Sequence, residues 1–530
     1  MGTYLNPGKQ GFEEIVNGEY IDKTGLIELI NERIGTTAKL VCVSRPRRFG
    51  KSYSAKMLCA YYDHSCDSTE LFRGLAVSNT EGFKKHLNQY HVVSLDISGF
   101  ISGLRKAGQS LAELPEKIVS SLERELKEVY PELQACESLS ECFIKCVEIT
   151  GRKFIFIMDE WDGVIREAKD SPEIQKQYLD LLREWFKNNN FTPQVVAAAY
   201  MTGILPIKKD GSQSAISDFR EYTVLKPRRF AEYVGFTERE VMKICEKHDI
   251  SFPDMKKWYD GYEYKGIDPV YNPNSVMQAV DNAEFDSYWV ETSASESLME
   301  YISQDYNGMT RTVAELIGGM EVPVSISGFA NDLTTFRGKD DVLTLLAHLG
   351  YLAYHAEDGT VRIPNEEIRM EFSSAVREVK HSATLERLKE SDRLFYDTIH
   401  GNEEAVAAQI EKIHAEETVP LHYNREDSLR SVIKLAYFTY RDNYLMWEEL
   451  PSGDGYADIV YLPKRASDYP ALVIELKWNH TAEGAIRQIL DRRYPEALKG
   501  FGGEILLVGI SYNRDEKGTD RHHTCKIQRL

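Results

Sequence analysis

Nothing in the 530 residues approaches the run of roughly 20 apolar positions that a membrane-spanning helix needs, so a chain with no membrane partner is expected. The opening stretch, MGTYLNPGKQGFEEIV, lacks a basic segment followed by an apolar one; it does not read as a secretory signal, and a cytoplasmic location is expected. A basic excess is missing as well. The formal net charge of −19 excludes a surface coated for nonspecific nucleic-acid binding and confines any such contact to a local groove. The eight cysteines include no CxxC pair and no histidines at zinc-finger spacing, so they read as free core thiols. Even Cys142 and Cys146, four apart in an expected helix, are better explained by buried packing than by a shared metal.

What is present is organised. The length exceeds what one hydrophobic core arranges, so two principal globular units are expected, with a small module between them. Short β-branched runs separated by helical stretches recur through the first 225 residues: KLVCVS at 39–44, VVSLDIS at 92–98, KFIFIMD at 153–159 and QVVAAAYMTG at 194–203. That alternation predicts a parallel sheet flanked by helices. Residues 226–330 read as largely helical, interrupted by the aromatic, turn-rich Trp258-Tyr259-Asp260-Gly261-Tyr262 and Tyr271-Asn272-Pro273-Asn274-Ser275. The segment DDVLTLLAHLGYLAYH has helical periodicity and runs into a hairpin with Asp358-Gly359 at its turn, a winged-helix-like pattern. It carries no basic recognition helix, so a packing role is favoured over DNA reading.

The first chemical motif is SRPRRFGKS at 44–52, between an apolar strand and the helix KSYSAKMLCAYY. Backbone N–H groups at such a helix start face phosphates; Lys51 is expected to reach the β- and γ-phosphates of ATP and the Ser52 hydroxyl to bind Mg²⁺. Gly50 supplies the turn, but Arg45 stands where the general GxxxxGK[ST] pattern has its first glycine. The buried-type strand 154–158 then ends in Asp159-Glu160, where Asp159 suits the Mg²⁺ shell and Glu160 suits polarising the attacking water. One strand lies in sequence between these two motifs and one follows, the order expected of additional-strand P-loop ATPases. Thr202, ending that last strand, is a candidate γ-phosphate sensor, and Arg220, Arg228 and Arg229 are arginine-finger candidates among which the sequence does not choose.

The second motif is near the other end. Residues 426–510 read as helix, three strands, helix and strand. Asp458 enters the second strand after the turn Gly453-Asp454-Gly455, while Glu475 and Lys477 stand two apart on the third and therefore share a face. Two carboxylates to hold Mg²⁺ beside a phosphate, with a lysine to orient or deprotonate water, are what a metal-dependent phosphodiesterase requires. The flanks of Glu475 are apolar, so the charges interrupt a buried strand. Glu426 is a further acidic candidate, and Arg487, Arg492, Arg493 and Lys499 form either a local phosphate track or a solvated helix face.

Taken in order, the segments Tyr20-Ile21-Asp22-Lys23-Thr24, Arg45-Pro46-Arg47-Arg48-Phe49-Gly50-Lys51-Ser52, Asp159-Glu160-Trp161-Asp162, Thr202-Gly203-Ile204, Gly235-Phe236-Thr237 and Ile363-Pro364-Asn365-Glu366 resemble the bacterial AAA-ATPase-like family with a C-terminal PD-(D/E)xK nuclease-like domain. In that family the RPRRFGKS loop replaces the usual first glycine, so the resemblance accounts for Arg45, and it implies that the loop arginines, Arg47 and Arg48 among them, serve the nucleotide. Gln488 and Tyr494 match the family's motif on the helix after the ExK strand; Tyr456 departs from it, standing where arginine is common.

The expected fold class is α/β: an AAA-like P-loop core over residues 1–225, a helical lid and winged-helix-like module over 226–380, a helical connector over 381–416, and an αβββαβ PD-(D/E)xK domain over 417–530. The expected function is ATP binding and hydrolysis controlling a Mg²⁺-dependent nuclease on DNA, less so RNA; the alternative is an ATP-driven switch or scaffold whose PD-(D/E)xK domain binds without cutting. A homo-oligomer is allowed.

Overall fold

The computed structural model describes residues 2–207, 209–210, 213–214, 216–264, 266–289, 309–329, 336, 338–378, 383–417, 433, 437, 444–452, 455–463, 469–492, 503–513 and 522–530. They divide into two compact units, Met1–Ala294 with Pro323–Glu371, and Ser295–Val322 with Phe372–Leu530. The described residues of 226–289 and 323–371 thus belong to the first unit, and those of 372–416 to the second.

In the first unit β1 (Leu40–Ser44) is followed by α1 (Lys51–Tyr62), β2 (His91–Asp96), β3 (Phe154–Asp159), the short α2 (Gly163–Glu167), β4 (Val196–Gly203) and β5 (Arg220–Tyr222). The strands form one parallel sheet in the order β2-β3-β4-β1-β5, with Leu40 paired to Ala199 and Asp96 to Asp159. β1 and β4 are buried at every position, as a sheet covered on both faces demands. Because β1 and β3 are both central, their C-terminal ends deliver the phosphate loop and the acidic pair to one edge of the sheet. Helices 114–129, 139–150 and 172–186 bury Leu122, Phe143 and Trp185 against it in a single apolar cluster. Cys142 and Cys146 lie in that cluster, fully buried, as free thiols.

The rest of this unit is less helical than its pattern suggests. α3 (Glu238–His248), α4 (Phe252–Tyr259) and α5 (Pro273–Asn282) share a core, but β6 (Tyr262–Tyr264) and β7 (Ile267–Tyr271) pair between them, and Phe236–Thr237 adds a third strand. Beyond them, α6 (Lys339–Leu349) leads into the hairpin β8 (Ala353–His355) and β9 (Thr360–Arg362), turning at Gly359 with φ +67°.

In the second unit α7 (Glu403–Glu417) precedes β10 (Tyr444–Ser452), β11 (Gly455–Pro463), β12 (Ala471–Trp478), α8 (Ala482–Asp491), β13 (Ile505–Tyr512) and β14 (His523–Arg529). The sheet runs β10-β11-β12-β13-β14, antiparallel except for the β12–β13 pair that α8 connects. The sequence pattern stopped at β13, and β14 is an added edge strand. Alternation along β12 sends Leu472, Ile474 and Leu476 into one core and Ala471 and Val473 onto α8, so Glu475 and Lys477 share the α8 face. Among the described residues no helix is long and apolar enough to cross a membrane.

Candidate functional sites

The phosphate loop turns on two left-handed residues, Arg48 at φ +66° and Gly50 at φ +84°, directly before α1. It opens onto a cavity of ≈ 700 Å³ lined by Arg47, Arg48, Gly50, Lys51 and Ser52, by Tyr20, Ile21 and Lys23, by Gly235 and Phe236, by Met277 and Gln278 of α5, and by Glu160. This volume lies within the range of small-molecule sites. The Lys51 ammonium is buried and donates to the carbonyls of Arg45 (3.1 Å) and Pro46 (2.6 Å); burial pulls its pKa down to about 8.

Arg45 does not replace the missing glycine at the phosphates. Its guanidinium is fully buried and donates to the carbonyls of Ser44 (2.9 Å), Tyr222 (3.0 Å) and Phe230 (3.3 Å), bracing β1 against β5 and the 3₁₀ turn 228–233. Arg48 lines the cavity and also donates to the Tyr288 carbonyl. The Tyr288 N–H in turn reaches Glu367 Oε1 at 2.8 Å, a carboxyl that burial pushes up to about 8. Phe49 sits edge-on to Tyr262 with ring centroids 5.3 Å apart, and a Cβ on Gly235 would stand 3.3 Å from the Phe49 ring. The loop is therefore keyed into the aromatic Trp258–Tyr262 region. None of Arg220, Arg228 and Arg229 lines the cavity, and Arg229 pairs with Glu32 at 2.8 Å.

The β3 end is tightly bonded. Thr202, fully buried at the end of β4, donates its hydroxyl to Asp159 Oδ1, and the Glu160 N–H meets the same oxygen at 3.1 Å. Glu160 holds an uncommon left-handed backbone, φ +51°. Its Oε2 accepts from the Ser98 hydroxyl, at the start of the helix Ile97–Lys106, and from Arg166 of α2 at 3.0 Å. Burial alone raises this carboxyl, but the Ser98 hydrogen bond, Arg166 and Lys51 together outweigh it and hold the pKa below its ordinary value. Asp162, with no exposure, accepts the backbone N–H groups of Ile204 (3.1 Å) and Leu205 (2.9 Å) as well as Arg166 Nε (3.2 Å). Ser98 and Arg166 carried no sequence signal, since Ser98 lies 62 residues from Glu160.

In the second unit Asp458, Glu475, Lys477 and Gln488 converge. Asp458 Oδ2 accepts the Leu476 N–H at 2.8 Å, fixing the first carboxylate against the ExK strand. Glu475 is 2% exposed; its Oε1 accepts Lys477 Nζ at 3.0 Å and the Gln488 amide, while its Oε2 is buried with no hydrogen-bond partner among the described residues. Burial first and the neighbouring Asp458 charge second push Glu475 up to about 7, against the pull of Lys477. α8 reaches this site because Gly509 of β13 leaves room: a Cβ there would stand 2.4 Å from the Ala482 carbonyl. Arg487 and Arg492 are exposed on and just after α8. Glu426, Gly453, Asp454, Arg493, Tyr494 and Lys499 lie outside the described residues, as does the side chain of Tyr456.

A parallel sheet with a phosphate-type loop after β1 and an acidic pair at the end of β3, one strand removed across β4, defines an α/β P-loop ATPase-like unit, and a mixed sheet with a convergent D…ExK set defines a nuclease-like one. Comparison with known proteins agrees: residues 7–212 match a family model of predicted AAA-ATPases and residues 424–521 match one of the PD-(D/E)XK nuclease superfamily. The chain carries an AAA-ATPase-like domain followed by a C-terminal PD-(D/E)XK nuclease-superfamily domain. It is 23% identical over 533 residues, 96% of each chain, to a protein of Azotobacter chroococcum mcd 1 described as an uncharacterized protein in the vnfD 5′ region. Among solved structures it is similar to the Aeropyrum pernix ORC2 protein (13% identity, TM-score 0.30, covering 69% of this chain and 97% of that one). It is also similar to the A. pernix ORC1 protein in complex with DNA (10%, TM-score 0.25, 72% and 98%).

Proposed function

We propose that the chain binds and hydrolyses ATP and that its C-terminal domain is a divalent-metal-dependent phosphodiesterase acting on nucleic acid, DNA ahead of RNA. The observation that carries the nuclease reading is the orphaned Oε2 of Glu475. A buried carboxylate oxygen without a donor is costly, and a raised carboxyl beside a second acid is the electrostatic condition a divalent cation relieves. Asp458 and Glu475 would hold such an ion, which when bound supplies charge neutralisation at the scissile phosphate. Lys477 then orients the attacking water, and Gln488 fixes the Glu475 rotamer. In the P-loop unit Lys51 must leave the Arg45 and Pro46 carbonyls to meet the phosphates, Ser52 and Asp159 serve the Mg²⁺ shell with Thr202 holding Asp159, and Glu160 polarises water.

The test is cleavage of labelled single- and double-stranded DNA and RNA in Mg²⁺ or Mn²⁺ by wild type and Glu475→Ala. Cutting by the wild type that falls by at least about 10²-fold in the variant is expected, the scale of removing a group that acts at the reacting phosphate. ATP turnover with no cutting of any of the four substrates would contradict the nuclease reading and leave a nucleotide-driven switch.

A further inference from the structure

The hydrolytic reading assigns a role to Glu160 but none to the arginine beside it. Arg166 stands on α2, four residues after Asp162 and one helical turn away from it, and only 16% of its side chain is exposed. Its Nε is held at 3.2 Å by Asp162, whose Oδ2 also takes the Ile204 and Leu205 N–H groups just past Thr202. Its NH2 reaches Glu160 Oε2 at 3.0 Å, the oxygen that Ser98 also contacts. Among the described residues both side-chain hydrogen bonds to this carboxylate fall on Oε2, which leaves Oε1 open. The anchor is rigid: Trp161 N–H bonds the Thr202 carbonyl of β4 at 3.0 Å and the Tyr178 hydroxyl bonds the Trp161 carbonyl at 2.9 Å, so the 159–162 turn is tied both to β4 and to the helix 172–186.

We infer that Arg166 is a positioning residue for ATP hydrolysis: braced by Asp162 against the end of β4, it holds Oε2 of Glu160 so that Oε1 meets the attacking water. The inference rests on the ATPase reading of the cavity. In the step it serves, the water oxygen bonds to the γ-phosphorus as the bond to the β,γ-bridging oxygen breaks. ADP leaves with that electron pair, and the water proton passes to Oε1 and then to phosphate or solvent. A carboxylate on a left-handed residue, pinned through one oxygen by two donors, has little freedom to misplace the other.

The test is single-turnover hydrolysis of labelled ATP by the full chain, with affinity measured separately by a fluorescent ATP analogue, for wild type, Arg166→Gln, Arg166→Lys, Glu160→Gln and the Arg166→Gln/Glu160→Gln pair. Arg166→Gln should slow hydrolysis by at least about tenfold with affinity within about threefold of wild type, since misplacement of a catalytic group slows chemistry rather than binding. Arg166→Lys, which restores the charge, should recover most of the rate. In the Glu160→Gln background the arginine change should alter the rate by less than about twofold, because it acts through the group already removed. An unchanged rate in Arg166→Gln, a loss of affinity that parallels the rate, or a further large fall in the double variant would overturn the inference. Should Arg166→Gln fail to melt cooperatively, Arg166→Met, which also removes the charge, with and without Glu160→Gln gives the same cycle. A wild type that binds the analogue and hydrolyses nothing overturns the ATPase reading and this inference together; turnover insensitive to Arg166 overturns this inference alone.

Discussion

At the scale of residues, Glu475 concentrates the chemistry of the second unit. Its carboxyl is lifted to about 7 by burial and by Asp458, so folding favours its protonated form. For a carboxyl raised above its ordinary value, the stabilisation is full below the ordinary carboxylate range and is lost as pH rises through about 7. Glu475→Gln, neutral at every pH, is therefore expected to raise the melting temperature of the C-terminal unit at pH 8 relative to wild type, and to abolish any further rise on adding Mg²⁺. Thermal melting at pH 6 and pH 8 with and without the ion reads both effects. A variant that melts lower than wild type at pH 8, or that keeps the Mg²⁺ response, would mean that Glu475 is a structural ion-pair partner. Glu475 and Lys477 were legible in the sequence because a charged pair inside an apolar strand is improbable without a reason, Asp458 from its place on the neighbouring strand, and Gln488 only through the family resemblance. Arg45 was legible only as an anomaly: sequence shows that a glycine is missing, whereas only the fold shows the guanidinium turned inward onto three carbonyls.

At the scale of elements, the main strands were readable from β-branched runs, and the sheet orders were not. β5 has three residues, too few to display a period, yet it completes the P-loop sheet beside β1. β14 has the mixed sequence HTCKIQR, ordinary for a half-exposed edge strand and indistinct from a loop. The contact between the P-loop and the following module was equally hidden, because it depends on small residues. Gly350, which caps α6 at φ +90°, would place a Cβ 2.6 Å from Pro46 Cβ and 2.7 Å from the Trp289 ring. Gly350→Ala combines a left-handed backbone with overpacking against the phosphate loop, and should destabilise the first unit by about 1–3 kcal/mol. Denaturant unfolding of wild type and variant checks this, and a change below about 0.5 kcal/mol, the range of neutral surface substitutions, would show that the loop and α6 yield easily.

At the scale of the whole molecule, each of the two units brings its candidate site residues together on its own elements, and each grouping follows from sheet topology. Parallel β1 and β3 bring Lys51 and Asp159-Glu160 together, while β11, β12 and α8 bring Asp458, Glu475, Lys477 and Gln488 together. The net charge of −19 sets a condition on the proposed nuclease: a polyanionic substrate would have to approach through local basic groups, such as exposed Arg487 and Arg492, against the field of the chain as a whole. We propose that nucleotide in the first unit governs phosphodiester cleavage in the second. It is tested most directly by the Mg²⁺-dependent cleavage rate with and without ATP, measured in wild type and Lys51→Ala. A wild-type rate that changes at least about fivefold with ATP, the lower end of typical coupling between sites, and a Lys51→Ala rate indifferent to ATP are the predicted results. Wild-type cleavage that is the same with and without ATP would contradict the claim.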